Sequence, residues 1–153
     1  MYYVVVTGEA KTVAVEISTL VEYADGKSVC TIEYQGIKFT GTSSCHPDDE
    51  DFMSERVGLC IAEARANIKV LRFKKNFEIM PKLQILEHLY HNIQRGKYYD
   101  ENSYETKMLR SQIRAIEKEL AVANNDLAEE EQYLNEYITS KEKLYQKLRA
   151  KHQ

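Results

Sequence analysis

"GTSSCHPDDEDFMSERVGLCIAEARA", Gly41 to Ala66, is the stretch in which this chain changes character. Before it the sequence reads as strands; after it almost everything reads as helix. The stretch also holds Cys45, Cys60, His46 and the acids Asp48, Asp49, Glu50 and Asp51. Two readings compete, a reaction centre and a joint. A zinc site needs further Cys or His at ligand spacing. Cys60 falls on a helix face, and His88 and His91 lie far along the chain. The acids lack the alternating ligands and mid-loop glycine of an EF-hand. Cys45 and His46 are sequence neighbours with no third group to orient them, a poor nucleophile–base pair. A joint explains each residue: Pro47 stops the strand, the acids suit the positive end of a helix, Ser54 offers an N-cap, and Gly58 permits close approach to a sheet. No metal, cofactor or catalytic residue is expected.

Upstream, "MYYVVVTG" and "KTVAVEISTLVEY" are rich in valine, isoleucine, threonine and tyrosine with partial alternation, the signature of strands. The Asp25-Gly26 pair of "ADGK" is a hairpin signal. "SVCTIEY" follows, then Gln35-Gly36, then "IKFTGTSSC". Three to five antiparallel strands in a meander are expected, with Cys30, Ile32 and Tyr34 on one face and Val29, Thr31 and Glu33 on the other.

Downstream, Val57, Ile61, Ala64, Ile68 and Leu71 share a helix face, beside a strip of small residues, Gly58, Ala62 and Ala66. Pro81 starts or kinks a second helix carrying Leu83, Leu86, Leu89, Tyr90 and Ile93. Arg95-Gly96 reads as its C-terminal cap.

The last third carries a heptad stripe. Leu109, Ile113, Ile116, Leu120, Ala123, Leu127, Glu130, Leu134, Tyr137, Lys141, Leu144 and Leu148 are spaced by alternating steps of four and three, and only Glu130 and Lys141 break its apolar character. This is a coiled-coil seam, in one helix roughly 60 Å long if it is continuous. A stripe of that length exceeds what a small sheet can cover, so a homo-oligomer, dimer or higher, is expected through Leu109, Ile113, Ile116, Leu120, Leu127, Leu134, Leu144 and Leu148. The alternative is a hairpin broken near Asn124–Asp126, with Asp126 as N-cap and Glu129 completing a capping box. The fold class is therefore α+β, an N-terminal antiparallel sheet with a packed helix and then a long coiled-coil-like helix. The division expected is 1–97, sheet plus helix, and 98–153, helical oligomerisation segment.

Three cysteines in 153 residues, an N-terminus without the basic start of a leader, and no run of about 18 apolar residues give the expectation of a reduced cytoplasmic protein that is not membrane-bound (host cytoplasm if phage-encoded). The net charge of −3 disfavours nucleic acid as the main partner. No phosphate-binding loop, dinucleotide fingerprint or nucleophile elbow is present, so no enzymatic activity is expected.

"GTSSCHPDDEDFMSERVGLCIAEARA" resembles a pattern in small bacterial and phage proteins of unknown function, in which a strand ends in a Pro-x-Asp turn and the next helix reads G-x-x-[LI]-A-x-x-R-A. Gly58, Ile61, Ala62, Arg65 and Ala66 match that helix. The resemblance, over about residues 28–72, implies a fold like the double-stranded-RNA-binding domain and no particular activity. The architecture as a whole looks like that of the phage Thoeris anti-defence sponges, which sequester a cyclic nucleotide signal.

Charge is uneven. Between Arg65 and Lys97 eight cations face Glu78 and Glu87 alone, a net of +6. Arg110 and Arg114 lie one helical turn apart, suited to clamping a phosphate, and Tyr98 and Tyr99 precede them as surfaces on which a base can stack. Arg95, Tyr98, Tyr99, Arg110 and Arg114 are accordingly the candidate ligand-binding residues. Charges on a helix are more often a solvated face, and tyrosines at a helix junction more often packing. Three roles follow: a non-enzymatic phage-type anti-defence protein that sequesters a small anionic nucleotide, a coiled-coil protein that binds and inhibits a host defence protein, and, more weakly, an RNA-binding protein.

Overall fold

The computed structural model describes residues 2–5, 15–24, 26–45 and 54–151. The acid run and His46 of the opening stretch lie outside them. Four strands, β1 (Tyr2–Val5), β2 (Val15–Ala24), β3 (Lys27–Tyr34) and β4 (Ile37–Ser44), form an antiparallel meander in the order β1-β2-β3-β4. The β2–β3 turn pairs Ala24 with Lys27 around Gly26 at φ 75°. In the β3–β4 turn both central residues, Gln35 (φ 50°) and Gly36 (φ 76°), are left-handed. Those signs define the turn whose twist matches that of the strands. Cys30, Ile32 and Tyr34 are buried and alternate with part-exposed Val29 and Thr31 and exposed-face Glu33, as the two-residue period requires.

Helix α1 (Glu55–Phe73) begins where Ser54 accepts backbone N–H bonds from Val57 and Gly58. It passes through a π-helical turn, Lys74–Ile79, into α2 (Met80–Gln94). The Met80 N–H reaches back five residues to the Lys75 carbonyl, and Pro81, which has no N–H to give, follows at once. The wider turn is how the chain takes up a proline without ending the helix. Arg95 closes α2, with its N–H on the His91 carbonyl and the Gly96 N–H on the Ile93 carbonyl. Helix α3 (Tyr104–Lys151) is capped by Ser103, whose Oγ accepts the Thr106 N–H at 3.2 Å. All 48 residues of α3 are helical, including Asn124–Asp126. The hairpin alternative is excluded. Unbroken heptad phase outweighs the local cap signal at Asp126.

The chain divides into two compact units, one of residues 1–70 and 129–153, the other of residues 71–128. In the first, α1 lies across the sheet. A Cβ on Gly41 of β4 would stand 2.0 Å from the Ala62 carbonyl oxygen and 2.5 Å from the Ala66 nitrogen. Ala62 and Ala66 are fully buried, so the strip of small residues is the sheet-contacting side of α1. Strand β4 is the last in the sheet, and α1 serves its outer edge: Arg65 Nη1 donates to the Thr42 carbonyl at 2.6 Å, and Lys69 Nζ to the Thr40 carbonyl. Unpaired edge carbonyls are thereby covered.

The second unit is α2 and the start of α3. Its inward residues on α2 are Leu83, Leu86 and Tyr90, all half-buried, and no α2 residue is fully buried. The heptad stripe of α3 is partly covered inside a single chain. Leu109 and Leu134 are buried, and Ile113, Ile116, Leu120, Leu127 and Leu148 are half-buried, whereas Leu144 remains 45% exposed. The chain's own helices cover part of the stripe, so its apolar character alone does not require a second chain.

Candidate functional site

The residues singled out for ligand binding separate into three groups. Arg110, Tyr99 and Tyr90 form a knot. Arg110 Nε donates to the Tyr90 hydroxyl at 2.8 Å, and its Nη2 donates to the Tyr99 hydroxyl at 3.2 Å. The guanidinium also lies over the Tyr90 ring at 5.6 Å, and Glu101 stands 3.9 Å away. The two hydroxyls are 3.4 Å apart. Tyr90 titrates below the ordinary phenol range because the Tyr99 hydroxyl, and then Arg110, hydrogen-bond to it. Tyr99 titrates above that range because its proton is held on Tyr90. Tyr99 as donor and Tyr90 as acceptor account for both. Two of the Arg110 donor sites are thus occupied by tyrosines, and the residue fastens α2 to α3.

Arg114 is exposed and lines an open groove with Glu87, Tyr90, His91 and Glu117. The groove carries two carboxylates as well as its arginines, so it lacks the cationic surplus of a phosphate clamp. Arg95 is exposed at the end of α2 and Tyr98 is 89% exposed with Lys97 over its ring at 5.9 Å. Neither is brought to Arg110 by a recorded contact. Between them the loop is fixed by an Asp100 side chain that accepts the Asn102 N–H, and by the Ser103 N–H on the Asp100 carbonyl.

A second place in the structure was not singled out by its sequence. Within the first unit a cleft of about 290 Å³ opens between the β2–β3 turn, the end of β4, the first turns of α1 and the last turns of α3. Among the described residues its serine hydroxyls come from Ser28, Ser43, Ser44 and Ser54, its cations are Arg65, Lys141 and Arg149, and Glu142 is the one carboxylate. Ser28 is 1% exposed and its Oγ has no hydrogen-bond partner among the described residues. A buried hydroxyl in that condition costs about 1–3 kcal/mol. It lies under Gly58, where a Cβ would come within 2.4 Å of it. The sequence did hold a signal. Ser28 and Ser43 occupy inward positions of their strands, in phase with Cys30 and Gly41, and Lys141 is one of two interruptions of the apolar stripe.

The cysteines do not gather. All three are free thiols. Cys30 is fully buried, which raises its thiol above the usual range, and Glu63 adds to this. Cys60 is hydrogen-bonded by Tyr137, whose phenol burial pushes up to about 12. Among the described residues no three His, Cys, Asp or Glu side chains converge as a metal cage would require. No described helix is long and apolar enough to cross a membrane.

No family model, no curated protein and no solved structure matches the chain.

Proposed function

We propose that this chain is a non-enzymatic interaction protein whose helical hairpin docks onto protein, in the first instance onto a second copy of itself. One observation carries the reading: the second unit turns apolar side chains outward from both of its helices. Ile85, Leu89 and Ile93 recur every fourth residue on α2, and Met108, Ala115 and Val122 every seventh on α3. Ile85 and Val122 are each 61% exposed, and Leu89, Ile93 and Met108 are exposed as well. Ile85 and Leu86 share an apolar groove with Ala115 and Ile116. A two-helix layer with one apolar face outward completes its core by pairing with another such layer, as in a four-helix bundle. The face is aliphatic on both helices, so a two-fold copy matches it with like against like.

Sedimentation of the purified chain tests this. The wild type is expected to dimerise at micromolar concentration, and Leu89→Asp to sediment as a monomer with unchanged helix content by circular dichroism. A wild type that stays monomeric at all concentrations overturns self-association, and the face then belongs to a different protein, such as the host defence protein of an inhibitory interaction.

A second reading, a phage-type anti-defence protein that sequesters a cyclic nucleotide signal, draws on a different observation, the cation-lined cleft of the first unit. A ligand present at 100 times its dissociation constant adds about 2.7 kcal/mol of stability. A melting-temperature screen against cyclic di- and trinucleotides and cyclic ADP-ribose isomers therefore tests it. No shift with any of them removes that reading.

A further inference from the structure

We propose that the cleft of the first unit is a binding site for a small phosphate-bearing anion, independently of whether the second unit self-associates. Charge is the first argument. Arg65, Lys141 and Arg149 line a concave space in which, among the described residues, Glu142 is the one carboxylate. Among the described residues neither Arg65 nor Lys141 pairs with a carboxylate: Arg65 bonds the Thr42 carbonyl, and Lys141 rests over the Tyr137 ring at 5.4 Å. Arg65 and Lys141, neither paired with a described carboxylate, focus a positive potential in the concave space where an anion would enter.

The hydroxyl groups are the second argument. A phosphate oxygen accepts hydrogen bonds, and serine hydroxyls rotate to supply them. Ser43, Ser44 and Ser54 line the walls, and Ser28 contributes to the floor. Among the described residues Ser28 Oγ is the buried side-chain atom that no protein group satisfies. A cleft built only for packing would place an apolar residue at this inward strand position, where Cys30 and Ile32 stand two and four residues on. A polar group kept there at a cost, in a cleft that cations line, suits an oxyanion and does not suit an apolar ligand or a metal cation.

Size is the third. At about 290 Å³ the cleft is at the lower end of small-molecule sites. It suits a single phosphorylated metabolite and is too small for a polymer. Tyr23 and Tyr145 also line it, so an aromatic group on the phosphate would have aromatic neighbours.

Titration calorimetry of the full chain with inorganic phosphate and with phenyl phosphate tests the site. Saturable one-to-one binding is expected, tighter for phenyl phosphate. Lys141→Gln is expected to weaken it by about tenfold or more, the effect of losing one charge-assisted contact. Leu144→Ala, on an exposed residue outside the cleft, is expected to bind as the wild type does. Ser28→Ala separates a ligand contact from a packing role: the proposal requires weaker binding from a protein that melts no lower than the wild type. No saturable heat with either probe, or a correctly folded Lys141→Gln that binds like the wild type, overturns the assignment.

Discussion

The two compact units solve the same problem, how to hold a helix against its neighbour, by opposite means. The first does it with absence of side chain. Gly41 meets Ala62 and Ala66 so closely that backbone touches backbone, and the residues that matter are nearly featureless. The second does it with the largest polar groups available, an arginine donating to two tyrosines, and leaves aliphatic side chains facing outward. A glycine–alanine contact allows no alternative and no opening. A polar knot at a part-exposed position stays exchangeable with water. The first unit is accordingly the place for a fixed cleft, and the second the place for a face that meets a partner.

The sharpest way to break that comparison is to add side chain where the first unit has none. Gly41→Val would drive a Cβ and two methyl groups into the Ala62 carbonyl and Ala66 nitrogen, neither of which can rotate away. A loss of about 3 kcal/mol is expected, read as a lower urea midpoint. Gly58→Ala meets only the Ser28 hydroxyl, a group free to turn, and is expected to cost about 1 kcal/mol. If Gly41→Val melts like the wild type, the sheet and α1 are not packed as described.

Next in size is a pair within the heptad stripe. Leu134 is 8% exposed and Leu144 is 45% exposed. Leu134→Ala is expected to cost about 2–4 kcal/mol, the price of a core cavity, and Leu144→Ala to stay within about 0.5 kcal/mol. The reverse order, or a concentration-dependent loss at Leu144, would mean that the stripe acts as a seam between chains.

The stripe also shows how much could be read in advance. The Asp25-Gly26 pair places the hairpin turn, and period places the inward face of β3, the small strip of α1 and the heptad phase of α3, because each depends on local geometry. Continuity through Asn124–Asp126 stays open between two local signals. Period could not say what covers an apolar face. Leu109 and Leu134 are covered by the same chain, while Ile85 and Leu89, equally apolar and equally periodic, are not. The difference lies in which helices pair, a long-range fact. The same limit governed charge. Arg65 and Lys69 belong to a basic run of the sequence and Arg110 is a candidate ligand contact; in the structure strand carbonyls accept from the first two and a phenol from the third. The cleft was the least legible feature, since Ser28, Lys141 and Arg149 are brought together from distant parts of the chain.

Alkaline pH distinguishes the units more gently. Tyr137 is raised to about 12 by burial and then by its hydrogen bond with Cys60. A folded-state value above the ordinary phenol value means that the folded form favours the neutral ring. Its contribution is complete below about pH 10 and is lost as pH rises from there toward 12. Tyr137→Phe is expected to lose less stability than the wild type across that window in paired denaturation curves. An equal loss would mean that the ring is hydrated and that α3 is looser beside Cys60 than described.

The smallest effect belongs to the knot, and it is the one that tells fastening from ligand binding. Tyr90 is held below the usual phenol range by Tyr99 and Arg110, so its phenolate is favoured in the folded chain. The stability this adds is complete above the unfolded value, near pH 10, and is lost as pH falls through the lowered folded value. At neutral pH the knot contributes hydrogen bonds alone. Arg110→Gln removes the cation but leaves a donor of similar reach. The Tyr90 ionisation, followed by NMR of the ring, is expected to move up toward the ordinary range, and amide exchange near the α2–α3 connection to quicken, with phosphate binding in the first unit unaltered. A variant whose Tyr90 titrates as before would show that the guanidinium is not engaged with the phenols. Arg110 would then be free beside Arg114, and the two arginines would regain their standing as a phosphate clamp.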